Sequence, residues 1–268
     1  MAHKISVDLE EWFHPFHYRD IIPTKDWNKD ISRIEYQTQL LLNLFKNHKT
    51  KATFFIVGWI AENFPDLVET IASDGHQIGI HSYYHLPVNL SDETTFELDT
   101  NSCINKIFEI LREYPLFYRA PNFSINDKTK WCVKILSRAG IKYDSSMHKP
   151  TFHPDYGSQS KFPIHEFEIY GIKEYQIPTL EFGQLYIPFS GGAYFRYYPY
   201  RLTKSIIYSF EEKNEEIIFY IHPWEFDTHL PKINISNTIL FRHRYNIKNN
   251  LSKLDNLLND FKFEPINL

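Results

Sequence analysis

Several absences narrow the possibilities for this chain. It has only two cysteines in 268 residues, Cys103 and Cys132. Both sit in apolar helical patterns, which argues against a disulfide-stapled scaffold and predicts buried free thiols. No apolar run approaches transmembrane length. No secretory leader is visible, because Met1-Ala-His-Lys-Ile-Ser-Val-Asp8 enters a strand pattern at once. These absences predict a soluble, cytoplasmic chain, at most held at the inner membrane surface. Net charge is −4 and there is no basic run, so nucleic acid is not an expected partner. Internal repeats and low-complexity linkers are also missing.

What the chain does have is apolar and aromatic mass. Hydrophobic residues make up 43% and aromatic residues 17%, enough for a sizeable core and too much for disorder. The length suits one α/β domain spanning 1–268. Buried-strand patterns at 4–9, 52–57, 77–80, 116–118, 141–143 and 216–221 alternate with helical ones. Helices are predicted over 35–46, from Pro65 to a stop at Gly75, and after an N-cap at Ser91. Others follow a cap at Asn126, run over 199–210, and close the chain with Leu251, Leu254, Leu257, Leu258 and Phe261 on one face. Such alternation points to parallel βα units, as a barrel or an open sheet. The stretch from Met147 to Gly192 differs. It mixes Pro, Gly, Phe and Tyr without helical period, and reads as loops with short strands.

Polar residues recur where strands end. His81 and His85 follow the strand at 77–80, and neutral imidazole is a common ligand for first-row metals. A spacing of four lets the two rings converge if the backbone coils there. Asp8 and Glu10 lie two apart and share a face of an extended chain, whereas Glu11 points the other way. His81, His85 and one carboxylate would make a three-ligand site with positions open for water and substrate. Arg119 leaves an aromatic strand and suits a carboxylate partner, with Asp8 the candidate. Pro121 stiffens the next turn and leaves the Asn122 amide to face the site. His222 leaves the strand at 216–221 and suits a general acid, with Asp144 to orient it. Trp224 would give an apolar wall for a sugar ring or an acetyl methyl.

The ordered blocks SVDLEEW, IGIHSYYH, YRAPNF, YDSS and FYIHPWEFD resemble the polysaccharide deacetylases, family 4 of the carbohydrate esterases. TFFIVGWIAENFPDLVETIASDGHQIGIHS, SSMHKPTFHPDYG, GGAYFRYYPY and IHPWEFDTHLP are similar to its exopolysaccharide and exosortase-associated branch. The resemblance implies a distorted (β/α) barrel with fewer than eight regular strands. It implies one divalent metal, usually zinc with Co²⁺, Ni²⁺ or Mn²⁺ as substitutes, and hydrolysis of N-acetyl groups on an amino sugar. Carried over by motif, Asp8 would be the base, Glu10, His81 and His85 the metal ligands, and His222 the acid. Arg119 would hold Asp8, and Asp144 would support His222.

The chain departs from the family in two places. Many members carry two adjacent aspartates where this chain has Asp8-Leu9-Glu10-Glu11, and the same-face argument selects Glu10. The fourth block has Ser146 and Met147 where many members have Trp, which bears on the substrate more than on the reaction. Specificity is expected from 147–192. Three other readings compete. One is a hydrolase of another C–N bond, such as a deformylase. The others are a non-catalytic carbohydrate-binding barrel and a structural metalloprotein with a closed four-ligand site.

Overall fold

The computed structural model describes residues 1–149, 165–231, 233 and 236–266. In chain order the elements are β1 (Ala2–Leu9), α1 (Ile34–His48), β2 (Thr53–Ile56), α2 (Gly58–Asn63), α3 (Pro65–Ser73) and β3 (Gln77–Ile80). Then come α4 (Glu93–Leu111), β4 (Phe117–Tyr118), α5 (Trp131–Arg138), β5 (Tyr143–Asp144), α6 (His165–Ile169) and β6 (Lys173–Glu174). The remainder is β7 (Thr179–Phe182), β8 (Leu185–Pro188), α7 (Gly192–Tyr197), α8 (Tyr200–Glu211), β9 (Ile218–Ile221), α9 (Asn237–Arg244), α10 (Ile247–Asp260) and β10 (Lys262–Glu264). The class is α/β, as the alternating pattern predicted. The elements group into two compact units, 1–52 with 189–268, and 53–188.

In the first unit β1 is flanked by β10 and β9, both parallel to it. A parallel strand flanked by neighbours on both sides should be buried along its length, with any polar side chain paired. Accordingly β1 is buried from His3 to Leu9, and its charged Lys4 reaches Glu264 on β10 at 2.5 Å. The register sets Val7 opposite Ile221, so the residues that follow, Asp8 and His222, come side by side. Gly191 lies against β9 with φ +127°, and a Cβ there would stand 1.9 Å from the Tyr220 carbonyl oxygen. Only glycine allows that approach.

The second unit runs β2, β3, β4, β5, β6, all parallel, with β7 and β8 as a separate antiparallel hairpin. Three of its parallel strands, β4, β5 and β6, are only two residues long, so regular strands are few, as the resemblance implied. The core is aliphatic and aromatic, and Cys103 and Cys132 are buried free thiols in it.

Two capping expectations are corrected. The cap of α4 is Asp92, whose carboxylate accepts from the Thr95 amide at 2.7 Å; the Ser91 hydroxyl turns back to the Val88 carbonyl. Asn126 starts a turn and not a helix: its side chain accepts from the Lys128 amide, and α5 begins only at Trp131. Its local side-chain bonds compete with the helical ladder. Within 147–192 the described part holds short strands, as expected, plus α6; residues 150–164 of that stretch lie outside the described residues. No helix among the described residues is long and apolar enough to cross a membrane.

Asp227 ties α1 to the turn after β9. Its carboxylate accepts from Arg33 Nε at 2.5 Å, Arg33 Nη2 at 3.1 Å and Gln37 Nε2 at 2.9 Å. Burial raises its pKa, but the bonds from Arg33 and Gln37 outweigh that and hold it below the ordinary value. A lowered carboxylate pKa stabilises above the unfolded value and stops doing so as pH falls through the folded one. Asp227→Asn should therefore cost about 2 kcal/mol in urea unfolding at pH 7. That cost should shrink in acid, below the ordinary carboxylate range; an equal cost at both pH values would contradict this account.

Candidate active site

Within the first unit, the parallel register of β1 and β9 brings Asp8 and His222 to one edge. Asp8 is the penultimate residue of β1, and His222 follows the last residue of β9. His222 Nε2 lies 3.8 Å from both Asp8 Oδ2 and Glu10 Oε1. Asp8, Glu10 and His222 each offer a ligand atom, all within 4.8 Å of one another. Glu11 is committed elsewhere. It caps α1, accepting from the Ser32 hydroxyl and from the amides of Arg33 and Ile34. Burial raises its pKa to about 7 against those hydrogen bonds. Of the two adjacent glutamates, Glu10 is thus the one beside Asp8 and His222, in line with the same-face expectation.

The ring of His222 is held by a partner the sequence reading did not name. Its Nδ1–H donates to Glu225 Oε2 at 3.1 Å, and its backbone amide donates to the same oxygen at 3.1 Å. This corrects the expectation that Asp144 orients His222. Glu225 lies three residues on, in a single 3-10 turn over Pro223–Phe226, which carries its side chain back to the residue where the turn begins. Burial lowers the His222 pKa, but the carboxylates of Glu10, Glu225 and Asp8 outweigh that and raise it to about 9. Trp224 also departs from expectation. It is 6% exposed, with its indole stacked on the rings of His222 and His243 at 5.4 and 4.0 Å between centroids. It backs the imidazole and does not offer an open wall.

In the second unit, β3, β4 and β5 are parallel and their ends deliver His81, Arg119 and Asp144. The backbone after β3 does coil: Ser82 and His85 have φ of 63° and 52°. The rings of His81 and His85 come to 5.0 Å between centroids. The Nδ1–H of His81 donates to the Arg119 carbonyl at 2.7 Å, which fixes the tautomer and puts the ring's lone pair on Nε2. Asp99 of α4 anchors this loop, accepting from the amides of Tyr83 at 2.8 Å and Tyr84 at 3.2 Å. Two buried imidazoles, one with its tautomer set by a carbonyl, are a donor set suited to a divalent transition metal.

Arg119 is fully buried. Its guanidinium donates to the Ser145 carbonyl and hydroxyl, both at 2.8 Å, and lies 4.3 Å from the Phe55 ring centroid. Asp144 serves the same loop. Its oxygens accept from the Ser146 amide and hydroxyl at 2.9 Å each, and Ser146 Oγ accepts from the Ala120 amide at 2.8 Å. Burial raises the Asp144 pKa, although bonds from Glu174 and Ser146 pull it down. Pro121 opens a 3-10 turn in which Asn122 is left-handed, at φ 54°. The Asn122 backbone N–H has no protein acceptor among the described residues.

Comparison with known proteins bears on what these ends are for. A family model described as polysaccharide deacetylase matches residues 29–143. That part of the chain, residues 29–143, is similar to the polysaccharide deacetylases. A second model, described as a domain of unknown function, matches 145–268. A peptidoglycan-N-acetylglucosamine deacetylase of Bacillus cereus is 32% identical over 124 residues, 45% of this chain and 42% of that protein. The chain thus spans less than half the length of that relative. A crystal structure of a polysaccharide deacetylase from Mycobacterium smegmatis superposes with TM-score 0.59 at 18% identity, covering 99% of this chain and 88% of the other. A peptidoglycan N-acetylglucosamine deacetylase solved with a benzamide ligand gives 0.53 at 15% identity, covering 99% and 86%. At those identities the likeness is one of fold, the distorted α/β barrel the sequence blocks implied.

Two residues that shape the site were not singled out from the sequence: Glu225 and Asp99. Glu225 had a signal, since a carboxylate three residues after a histidine in a helical turn comes back to it. Asp99 had none, because its role depends on where α4 packs. Removing both of its acceptor oxygens with Asp99→Ala should loosen the 83–84 backbone and weaken divalent-metal affinity about 10- to 100-fold. Equilibrium dialysis with Zn²⁺ would measure this, and unchanged affinity would rule out Asp99 as an anchor of the histidine loop.

Proposed function

We propose that the chain is a metal-dependent hydrolase that removes N-acetyl groups from an amino-sugar polysaccharide or its precursor. The observation that carries this reading is the pairing of a carboxylate, Asp8, with a carboxylate-held imidazole, His222, at the ends of two parallel strands. The match of residues 29–143 to the polysaccharide deacetylase model supports it. Glu10, His81 and His85 would hold the metal, with zinc the first candidate. When bound, a divalent ion supplies Lewis acidity toward the acetyl carbonyl and toward water.

The chain's own residues do the rest. Asp8 takes a proton from the attacking water as its oxygen bonds the acetyl carbon. Arg119 steadies the Asp8 carboxylate. The Asn122 N–H donates to the carbonyl oxygen as charge builds on it. His222 gives a proton from Nε2 to the departing nitrogen as the C–N bond breaks, for a contribution of roughly 10²–10⁴. The products are acetate and a free amine on the sugar. The exopolysaccharide-associated blocks favour a cell-surface polymer or its precursor as substrate, and residues between 147 and 192 would set which one.

One specific observation favours a second arrangement. Asp8, Glu10 and His222 stand close enough together to bind an ion themselves. Substitution separates the two. On the first reading His81→Ala loses the metal, whereas His222→Ala keeps it and loses acetate release from N-acetylglucosamine oligomers by about 10²-fold or more. Asp8→Asn keeps metal and loses turnover. Loss of metal in His222→Ala would move the ion to the Asp8–Glu10–His222 set. Full turnover in Asp8→Asn would end the base assignment. A panel of N-acetyl, N-formyl and ureide substrates separates deacetylation from hydrolysis of another C–N bond.

A further inference from the structure

The ring of His222 is gripped on its far side by a buried charged pair. Glu225 is 1% exposed and uses its two oxygens separately. Oε2 accepts from both the amide and the Nδ1–H of His222, each at 3.1 Å. Oε1 accepts from Arg196 Nε at 3.0 Å. Arg196 is likewise 1% exposed, and its Nη1 donates to the carbonyls of Arg242, His243 and Tyr245 as α9 ends. Asn250 Nδ2 holds the Glu225 backbone carbonyl at 3.1 Å. Each link in this series is a direct hydrogen bond between protein groups.

We propose that Glu225, clamped by Arg196, is the positioning carboxylate of His222, in place of Asp144. The proposal rests on the deacetylase reading given above. The geometry has two consequences. One carboxylate oxygen bonded to both the amide and the ring of the same residue leaves the imidazole a single orientation, with Nε2 toward Asp8 and Glu10. A proton retained on Nδ1 makes Nε2 the nitrogen that gives its proton to the departing amine, after which the ring is neutral and still bonded to Glu225. Arg196 keeps Glu225 charged: burial raises the Glu225 pKa, but His222 and Arg196 outweigh that and lower it. Both residues fall in blocks that resemble the exopolysaccharide-associated branch, GGAYFRYYPY and IHPWEFDTHLP.

Glu225→Gln tests this. The amide keeps the shape of the carboxylate, but its NH₂ must face either His222 or Arg196, and both are donors there. The full metal-loaded chain is examined by ¹H–¹⁵N NMR of the His222 ring and by steady-state acetate release. In the unaltered protein the Nδ1–H of His222 should give a slowly exchanging correlation. In Glu225→Gln its exchange should accelerate at least 10-fold, and kcat should fall about 10²-fold. KM should stay within two-fold, with metal content unchanged. A merely structural role would lower stability and leave the Nδ1 signal and kcat of the folded fraction intact, and that result overturns the proposal. If the variant does not fold, the unaltered protein still decides, because absence of a protected Nδ1–H refutes the contact. A protected Nδ1–H with no acetate release from any N-acetyl substrate overturns the deacetylase reading and leaves the Glu225–His222 pairing standing.

Discussion

Two parallel strands end at the same edge of their sheet, and here β1 and β9 do so with Val7 opposite Ile221. The chemistry of the first unit depends on that register. A shift of one residue would turn Asp8 away and set His222 against a different neighbour, because side chains alternate along a strand. The register is secured by a β1 buried on both faces and by Gly191, which lets its backbone close onto Tyr220. In the second unit the same rule delivers His81, Arg119 and Asp144 from β3, β4 and β5.

Around these strand ends, buried charges are held by neighbouring side-chain and backbone donors. Asp227 is shared between Arg33 and Gln37, Glu225 between His222 and Arg196, and Asp144 serves Ser146. Leaving any of these carboxylates without its donors in a low-dielectric interior would be costly. Each one therefore also constrains the loop it touches. The loop carrying His81 and His85 is shaped the same way, by left-handed residues at 82 and 85 and by Asp99 beneath two amides. The chemistry proposed for the chain thus sits on loops, but on loops whose backbone has few alternatives.

Much of this was legible in the sequence, for reasons that differ by residue. Strand β3 was readable at both ends, because a short apolar run bounded by polar residues has few other meanings. The helices at 34–48 and 247–260 announced themselves by apolar period. Strand β10 and helix α9 did not. The first is three residues long and gains its identity only by pairing with β1, and the second has a weak apolar face. Asp144 was misassigned for a related reason. A carboxylate at a strand end can turn to several neighbours, and the nearest donors were its own Ser146 amide and hydroxyl. Trp224 looked available for a sugar, yet a large aromatic beside two histidines gains more from stacking between them than from facing water.

By itself the sequence determined the α/β class, the family resemblance and the residue types at the strand ends: Asp8, Glu10, His81, His85, Arg119 and His222. Those depend on local pattern and on blocks that survive in order. Only the tertiary structure decided which partners those residues hold. It put Glu225 and not Asp144 on His222, gave Glu11 to the start of α1 and left Glu10 beside Asp8, and set Asp99 under the histidine loop. Such choices follow from distances of about 3 Å between residues that can lie far apart in the chain, and no sequence period encodes those distances.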